Sequence, residues 1–203
     1  MSEKERRELA LSMLLDVVKA LEESGVEVEL TVVLSEVDED EVEEVKERLE
    51  GMNFSWKVET DPRDLNEVVN DRLEEKVAVI VSDLPLLNGT VLTKFFGVKA
   101  DVVLAPGRRG GTNMMLVRRL SRGFRASYHY GSFAKHLSLA KVAGLKVEVF
   151  DSFFAGCDVD TPDDLLDVML YAPNSETGRC LRRMGFRVAL EKNPRLYRLR
   201  VRR

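Results

Sequence analysis

Short continuous apolar runs that alternate with segments of helical period constrain this chain more than any other feature. Leu9, Met13, Leu14, Val17, Val18 and Leu21 fall on one helical face, and Ser24-Gly25 ends the run. Val26 to Leu34 follows as a strand too apolar for one wet face, which favours a covered, parallel sheet. Asp38 to Leu49 carries Val42, Val45 and Leu49 on an otherwise acidic helix. The alternation continues with a strand at Phe54 to Val58, a helix at Leu65 to Leu73 and a buried strand at Val77 to Val81. Next come a helix at Leu87 to Phe96, a strand at Asp101 to Ala105, a helix at Phe133 to Ala143 and a strand at Leu145 to Phe150. Helices at Pro162 to Tyr171 and Thr177 to Met184 precede a closing antiparallel pair, Phe186 to Leu190 and Leu196 to Val201.

Such a pattern predicts a three-layer α/β/α fold with a mostly parallel mixed sheet, and the 203 residues fit one domain, 1–203. Ligands of open α/β sheets bind beyond the strand C-termini. Three polar clusters fall at such ends: Ser82-Asp83, Gly107 to Asn113, and Asp158-Val-Asp160.

Composition excludes several classes of function. A net charge of −4 gives no overall attraction to nucleic acid or anionic membrane. The arginines of the segment Arg179 to Arg203 alternate with Leu196, Leu199 and Val201, as on a strand with one wet face, so no nucleic-acid partner is expected. No apolar run is long enough to cross a membrane and the charged N-terminus has no signal region, so a cytoplasmic protein is expected. Cys157 and Cys180 have no metal-ligand spacing and read as buried thiols. Charged residues make up 33% of the chain and glutamine is absent, a balance that fits a thermophile.

The stretch Asp101-Val-Val-Leu-Ala-Pro-Gly-Arg-Arg-Gly-Gly-Thr-Asn113 leads from a strand into a turn suited to phosphate. Gly107, Gly110 and Gly111 let a backbone approach a ligand, while Arg108, Arg109, Thr112 and Asn113 add donors for anionic oxygens. The other reading is a tight arginine-bearing turn. Asp83, at a strand end, is suited to a cation held between a carboxylate and substrate phosphate, or to capping the next helix. Asp158 and Asp160 could bracket one cation or serve two, and Asp160 or Thr161 could instead cap the helix begun by Thr161-Pro-Asp-Asp164, which leaves Asp158 unexplained. Gly131 and Ser132 open a helix where backbone N–H groups and a hydroxyl can receive an anion, or where serine is an ordinary N-cap. His129 and His136, the only histidines, lack metal spacing, and a catalytic role is not expected of either.

Ser82-Asp-Leu-Pro-Leu86, Ala105-Pro-Gly-Arg-Arg-Gly-Gly-Thr-Asn113, Tyr130-Gly-Ser-Phe-Ala-Lys-His136 and Asp158-Val-Asp-Thr-Pro-Asp-Asp-Leu165 occur in that order. Together they resemble the archaeal 2-phospho-L-lactate guanylyltransferases of coenzyme F-420 biosynthesis, over nearly the whole chain. The resemblance implies a nucleotide-diphospho-sugar transferase-like fold and transfer of GMP from GTP to 2-phospholactate with release of pyrophosphate. Bacterial relatives use phosphoenolpyruvate, and the motifs do not separate the two acids. Asp83, Asp158 and Asp160 would hold Mg2+, with Asp83 and Asp158 counted as catalytic. Thr112, Gly131 and Ser132 would take the carboxylate end of the acid. Asn66, Gly107, Arg109, Gly110, Gly111 and Asn113 would contact nucleotide or phosphate, and Arg108 would stabilise charge on the triphosphate.

An anionic phosphate oxygen attacking the α-phosphorus requires no general base, so catalysis reduces to positioning and charge neutralisation. A homodimer is the family's implication. The family pattern opens with a strand and a Pro-Val-Lys…Lys-Ser-Arg-Leu nucleotide loop, whereas Met1 here begins at the following helix. The sheet is therefore expected to lack an inner strand and to expose ladder edges. Other readings are a molybdopterin or sugar-phosphate nucleotidyltransferase of the same fold, or a non-catalytic phosphometabolite-binding protein.

Overall fold

The computed structural model describes residues 1–199; Val201, expected in the last strand, and the final arginines lie outside them. The N-terminal helix α1 (Glu3–Ser24) begins at a capping box in which Ser2 and Glu5 exchange side-chain-to-backbone hydrogen bonds. Gly25 ends it in the left-handed region at φ 64°. β1 (Glu29–Leu34), α2 (Glu39–Leu49) and β2 (Ser55–Thr60) follow, and β1 pairs with β2 in parallel. Val18 of α1 and Val45 and Leu49 of α2 cover this pair around Val32.

α3 (Leu65–Asp71), β3 (Val77–Ile80), α4 (Gly89–Gly97), β4 (Val102–Pro106), β5 (Thr112–Val117), α5 (Ser132–Val142) and β6 (Val147–Val149) build the central sheet and its flanking helices. The strand order is β3-β5-β4-β6, with β5 antiparallel to both neighbours and β4 parallel to β6. Three of these four strands therefore run the same way, the mixed and mostly parallel arrangement expected.

β5 is the element the sequence reading missed. Its residues Thr112 to Val117 are all buried, so they show no alternation of wet and dry positions and read as the continuation of a loop. The sheet gives the alternation its meaning. Val103, Ala105, Met114 and Leu116 face α1 and α4, whereas Val102, Leu104, Met115 and Val117 face α5 and the segment Phe124 to Tyr128. Helices thus cover both faces, and each fully buried side chain such as Leu92, Phe95 or Met115 contributes about 1.5–3 kcal/mol. α4 lies close on α1: a Cβ at Gly89 would stand 2.7 Å from the Glu23 carbonyl carbon.

β1 and β3 each have a single hydrogen-bonded neighbour, so the β1-β2 pair is separate from the central sheet. Val77 to Ile80 is accordingly half-buried, not fully buried as its apolar run implies, because β3 is an edge. A short helix α6 (Phe153–Gly156), then α7 (Asp164–Tyr171), α8 (Glu176–Arg183) and the antiparallel pair β7 (Phe186–Ala189) and β8 (Arg195–Arg198) complete the described chain. Leu165, Val168 and Leu181 pack this part against Leu9 and Met13 of α1. No helix of the described residues is long and apolar enough to cross a membrane.

Candidate active site

The three polar clusters meet beyond one end of the central sheet. Just past β3, Val81 N–H donates to the carbonyl of Asn113 at 3.0 Å, and the carbonyl of Asp83 accepts from Val159 N–H at 3.0 Å. Asn113 is the hub: its side-chain amide donates to the Ala155 carbonyl at 3.0 Å and to Asp158 Oδ1 at 3.1 Å. Gly107 exists for this side chain, since a Cβ there would stand 2.4 Å from Asn113 Oδ1.

The turn between β4 and β5 differs from the open anion cradle expected of it. Gly107 N–H donates to Gly111 O at 2.9 Å, Gly110 N–H to Gly107 O at 3.1 Å and Arg108 N–H to Gly156 O at 3.2 Å. These amides are therefore taken within the protein. Gly110 adopts φ 80°, and a register shift at Ala105/Pro106 starts the reversal. The segment is a hairpin turn whose glycines serve its own geometry. Thr112 and Asn113 belong to β5, not to a loop, which is why they are held rigidly and only 3% and 4% exposed.

The arginines of this turn face carboxylates. Arg108 lies 2.7 Å from Asp167, donates to Cys157 Sγ at 2.7 Å and rests over the Phe153 ring. Arg109 reaches Asp164 at 3.0 Å and Asp160 at 3.5 Å. Neither Asp160 nor Thr161 caps α7, whose N-cap position is Asp163 with no side-chain cap bond; Asp164 Oδ2 instead accepts from the backbone N–H groups of Asp160 and Thr161, which precede the helix. Burial pulls the Asp164 carboxyl up, but Arg109 and the Thr161 and Asp160 donors together hold it below its usual range. Asp160 itself is left beside Asp158. Burial, followed by the Asp158 charge, raises its carboxyl.

Asp83 is the least satisfied group in the region. Its Oδ1 is buried without a hydrogen-bond partner. Burial, followed by the charges of Asp158 and Asp160, pushes its carboxyl up to about 6. Among the described residues no group of three or more His, Cys, Asp or Glu side chains is arranged to hold a metal ion by itself. The donor set instead suits a hard cation that takes one or two carboxylates and completes its shell with water and substrate phosphate.

A second group lies on the other side of β5. α5 starts at Gly131, an N-cap at φ 69° with no side-chain cap bond, so Ser132 is not the ordinary N-cap. Ser132 Oγ accepts from Thr112 N–H at 2.9 Å, and Thr112 Oγ1 lies 2.9 Å from His136 Nδ1. Asn66, expected at the nucleotide, accepts from Tyr128 N–H through Oδ1 and so braces the segment leading to Gly131. One turn on, Asn70 exchanges hydrogen bonds with the backbone of Ala126 at 2.8 and 3.0 Å. Asn70 and His136 carried no functional expectation from the sequence. The four-residue spacing of Asn66 and Asn70 on one helix face is the signal that could have found the former.

Residues 1–203 match the family described as guanylyl transferase CofC like. A 2-phospho-L-lactate guanylyltransferase of Archaeoglobus fulgidus is 47% identical over 200 residues, covering 98% of this chain and 88% of the relative. Enzymes of the same name from Ferroglobus placidus and Methanosarcina mazei are 42% and 33% identical, covering 98% and 84% of this chain and 90% and 78% of their own. A solved Desulfovibrio desulfuricans G20 protein described as a nucleotide-diphospho-sugar transferase superposes with a TM-score of 0.63 at 20% identity, covering 86% of this chain and 81% of its own. That likeness shows the fold. The match over the whole length, carried through the segments that build this site, shows that the chain belongs to the CofC-like guanylyl transferase family.

Proposed function

We propose that this protein joins GMP from GTP to the phosphate of 2-phospho-L-lactate in a magnesium-dependent reaction, the guanylylation step of coenzyme F-420 biosynthesis. The observation that carries the reading is the meeting of Asp83, a half-buried carboxylate with one buried and unpartnered oxygen, with Asp158 and Asp160 across β5 from the Thr112 and Ser132 hydroxyls. One half is made for a cation and phosphates. The other is made for a small anion.

A phosphate oxygen of the acid attacks the α-phosphorus, forming a new P–O–P link as the bond to the β-phosphate breaks and pyrophosphate leaves. The nucleophile is already anionic, so no side chain needs to take a proton. His136 fits that scheme: burial, with the nearby Lys135 charge second, lowers it to about 4, and it stays neutral. Asp83 and Asp158, with Asp160 beside them, would hold Mg2+, which when bound supplies neutralisation of the phosphate charge. Asn113 fixes the Asp158 carboxylate through its amide. Arg108 and Arg109, anchored by Asp167 and Asp164, place two positive charges beside the phosphate path. Thr112, Ser132 and the N-terminus of α5 at Gly131 receive the carboxylate of the acid. The turn at Gly107, Gly110 and Gly111 sets the position of these groups.

Purified protein given GTP, magnesium and a panel of acceptors tests this directly. Pyrophosphate release with 2-phospho-L-lactate or phosphoenolpyruvate is expected. Release with sugar phosphates alone would assign a different acceptor, and metal-dependent GTP binding without turnover would point to a binding protein.

A further inference from the structure

His136 is fully buried, yet its ring makes two polar contacts with different consequences. The backbone N–H of Ser127 lies 2.7 Å from Nε2. A backbone N–H can only donate, so Nε2 must carry the lone pair and the ring proton must sit on Nδ1. Nδ1–H then donates to Thr112 Oγ1 at 2.9 Å. An edge-to-face contact with Tyr128, with centroids 5.0 Å apart, keeps the ring in place.

The tautomer decides what Thr112 can do. Its hydroxyl oxygen accepts from Nδ1–H, so the hydroxyl proton is turned away from the ring. Ser132 Oγ accepts the Thr112 backbone N–H in the same way. The two hydroxyl oxygens stand 3.5 Å apart, the outer limit of a hydrogen bond, beside the capless N-terminus of α5. Ser132 Oγ–H is the donor of that limiting contact and His136 Nδ1–H of the shorter one, so the Thr112 oxygen serves as acceptor within the protein and its hydroxyl proton is left to donate. An anion is the ligand for an O–H donor at a helix N-terminus.

We infer that His136 is a positioning residue for the acid substrate: its Nδ1–H sets the Thr112 hydroxyl as a donor to the substrate carboxylate. The inference rests on the proposed guanylyl transfer to a phosphorylated acid. His136 neither touches substrate nor moves a proton. Its second bond, to Ser127, ties the same ring to the segment that Asn66 and Asn70 hold on α3, so the donor geometry is fixed from two sides.

Two isosteric variants separate positioning from simple support. In His136→Asn the amide nitrogen falls near Nδ1 and keeps the donor to Thr112, at the expense of the Ser127 bond. In His136→Gln the side-chain oxygen falls near Nε2 and keeps the Ser127 bond, at the expense of the donor. Steady-state assays with varied 2-phospho-L-lactate should show KM for the acid rising about tenfold or more in the Gln variant and less than about threefold in the Asn variant, with KM for GTP unchanged in both. Equal losses in the two variants, or an equal rise in KM for GTP, would overturn the inference. Placed on Thr112→Val, His136→Gln should add nothing further to the acid KM, whereas an additive effect would refute action through Thr112. If Thr112→Val alone leaves the acid KM unchanged, the assignment of the acid to this side of β5 fails, and the positioning role with it. Histidine 15N spectra of the wild-type protein do not depend on variant folding. A protonated Nδ1 and an unprotonated Nε2 on His136 are expected, and the opposite tautomer would refute the inference.

Discussion

Asp83→Asn should stabilise the metal-free protein at neutral pH while abolishing turnover. The Asp83 carboxyl moves from its usual 3.8 to about 6 because burial, followed by the neighbouring Asp158 and Asp160 charges, disfavours the anion. Between those two pH values the folded chain holds a proton that the unfolded chain has released, so stability falls as pH rises and the full penalty is present above about pH 7. Two units at about 1.4 kcal/mol each put that penalty near 3 kcal/mol. The orphaned Oδ1 is its structural counterpart. An isosteric amide removes the charge but still costs something to bury, leaving a net gain of about 1–3 kcal/mol. For a chain of 203 residues that corresponds to a rise in Tm of roughly 2–12 °C. Melting curves in EDTA from pH 4 to 8 should show the gap between variant and wild type opening as pH rises and closing near pH 4. Added magnesium should raise the wild-type Tm and leave the variant unmoved. A variant no more stable than wild type at pH 7.5, with a gap independent of pH, would refute the argument that an uncompensated buried charge sits at this strand end.

Gly107→Ala drives a Cβ to within 2.4 Å of Asn113 Oδ1 and must displace the amide that holds Asp158 and Ala155. A loss of about 1–3 kcal/mol in chemical denaturation and a weaker response of Tm to magnesium are expected together. Gly89→Ala, a change that raises helix propensity, should instead destabilise by about 1–3 kcal/mol because Gly89 is buried and its Cβ meets the Glu23 backbone at 2.7 Å; a neutral result by the same assay would show that α4 can retreat from α1. Cys157, pushed up to about 11 chiefly by burial, and the buried Cys180 should resist iodoacetamide in the native protein and react once it is denatured, as mass spectrometry can count.

The motifs Ser82-Asp83, Gly107 to Asn113, Gly131-Ser132 and Asp158 to Asp160 were legible because strand ends and glycine-rich turns leave local signals. β5 was not, because a strand buried on both faces has lost the period that would reveal it. Its absence from the reading carried the turn with it: without β5, Gly107 to Asn113 looks like a loop open to phosphate, and with β5 it becomes a hairpin whose amides close on each other. Asp164 was visible as an acid at a helix start, but only the fold shows it taking the Asp160 and Thr161 backbone N–H groups and Arg109, which leaves Asp160 beside Asp158.

By itself, the sequence determined the alternation of elements, the covering of the sheet on both faces and the residue types available at its edge. These follow from hydrophobic period and turn chemistry, which act over a few residues. Tertiary structure alone decided which strands pair, that β5 runs against its neighbours, and that Asn113 reaches Asp158 across 45 positions of chain. It also decided the state of single groups: the unpartnered Asp83 oxygen and the tautomer of His136 depend on burial and on which donor lies 3 Å away. Burial and pairing are set by residues distant in sequence, so no local pattern can encode them.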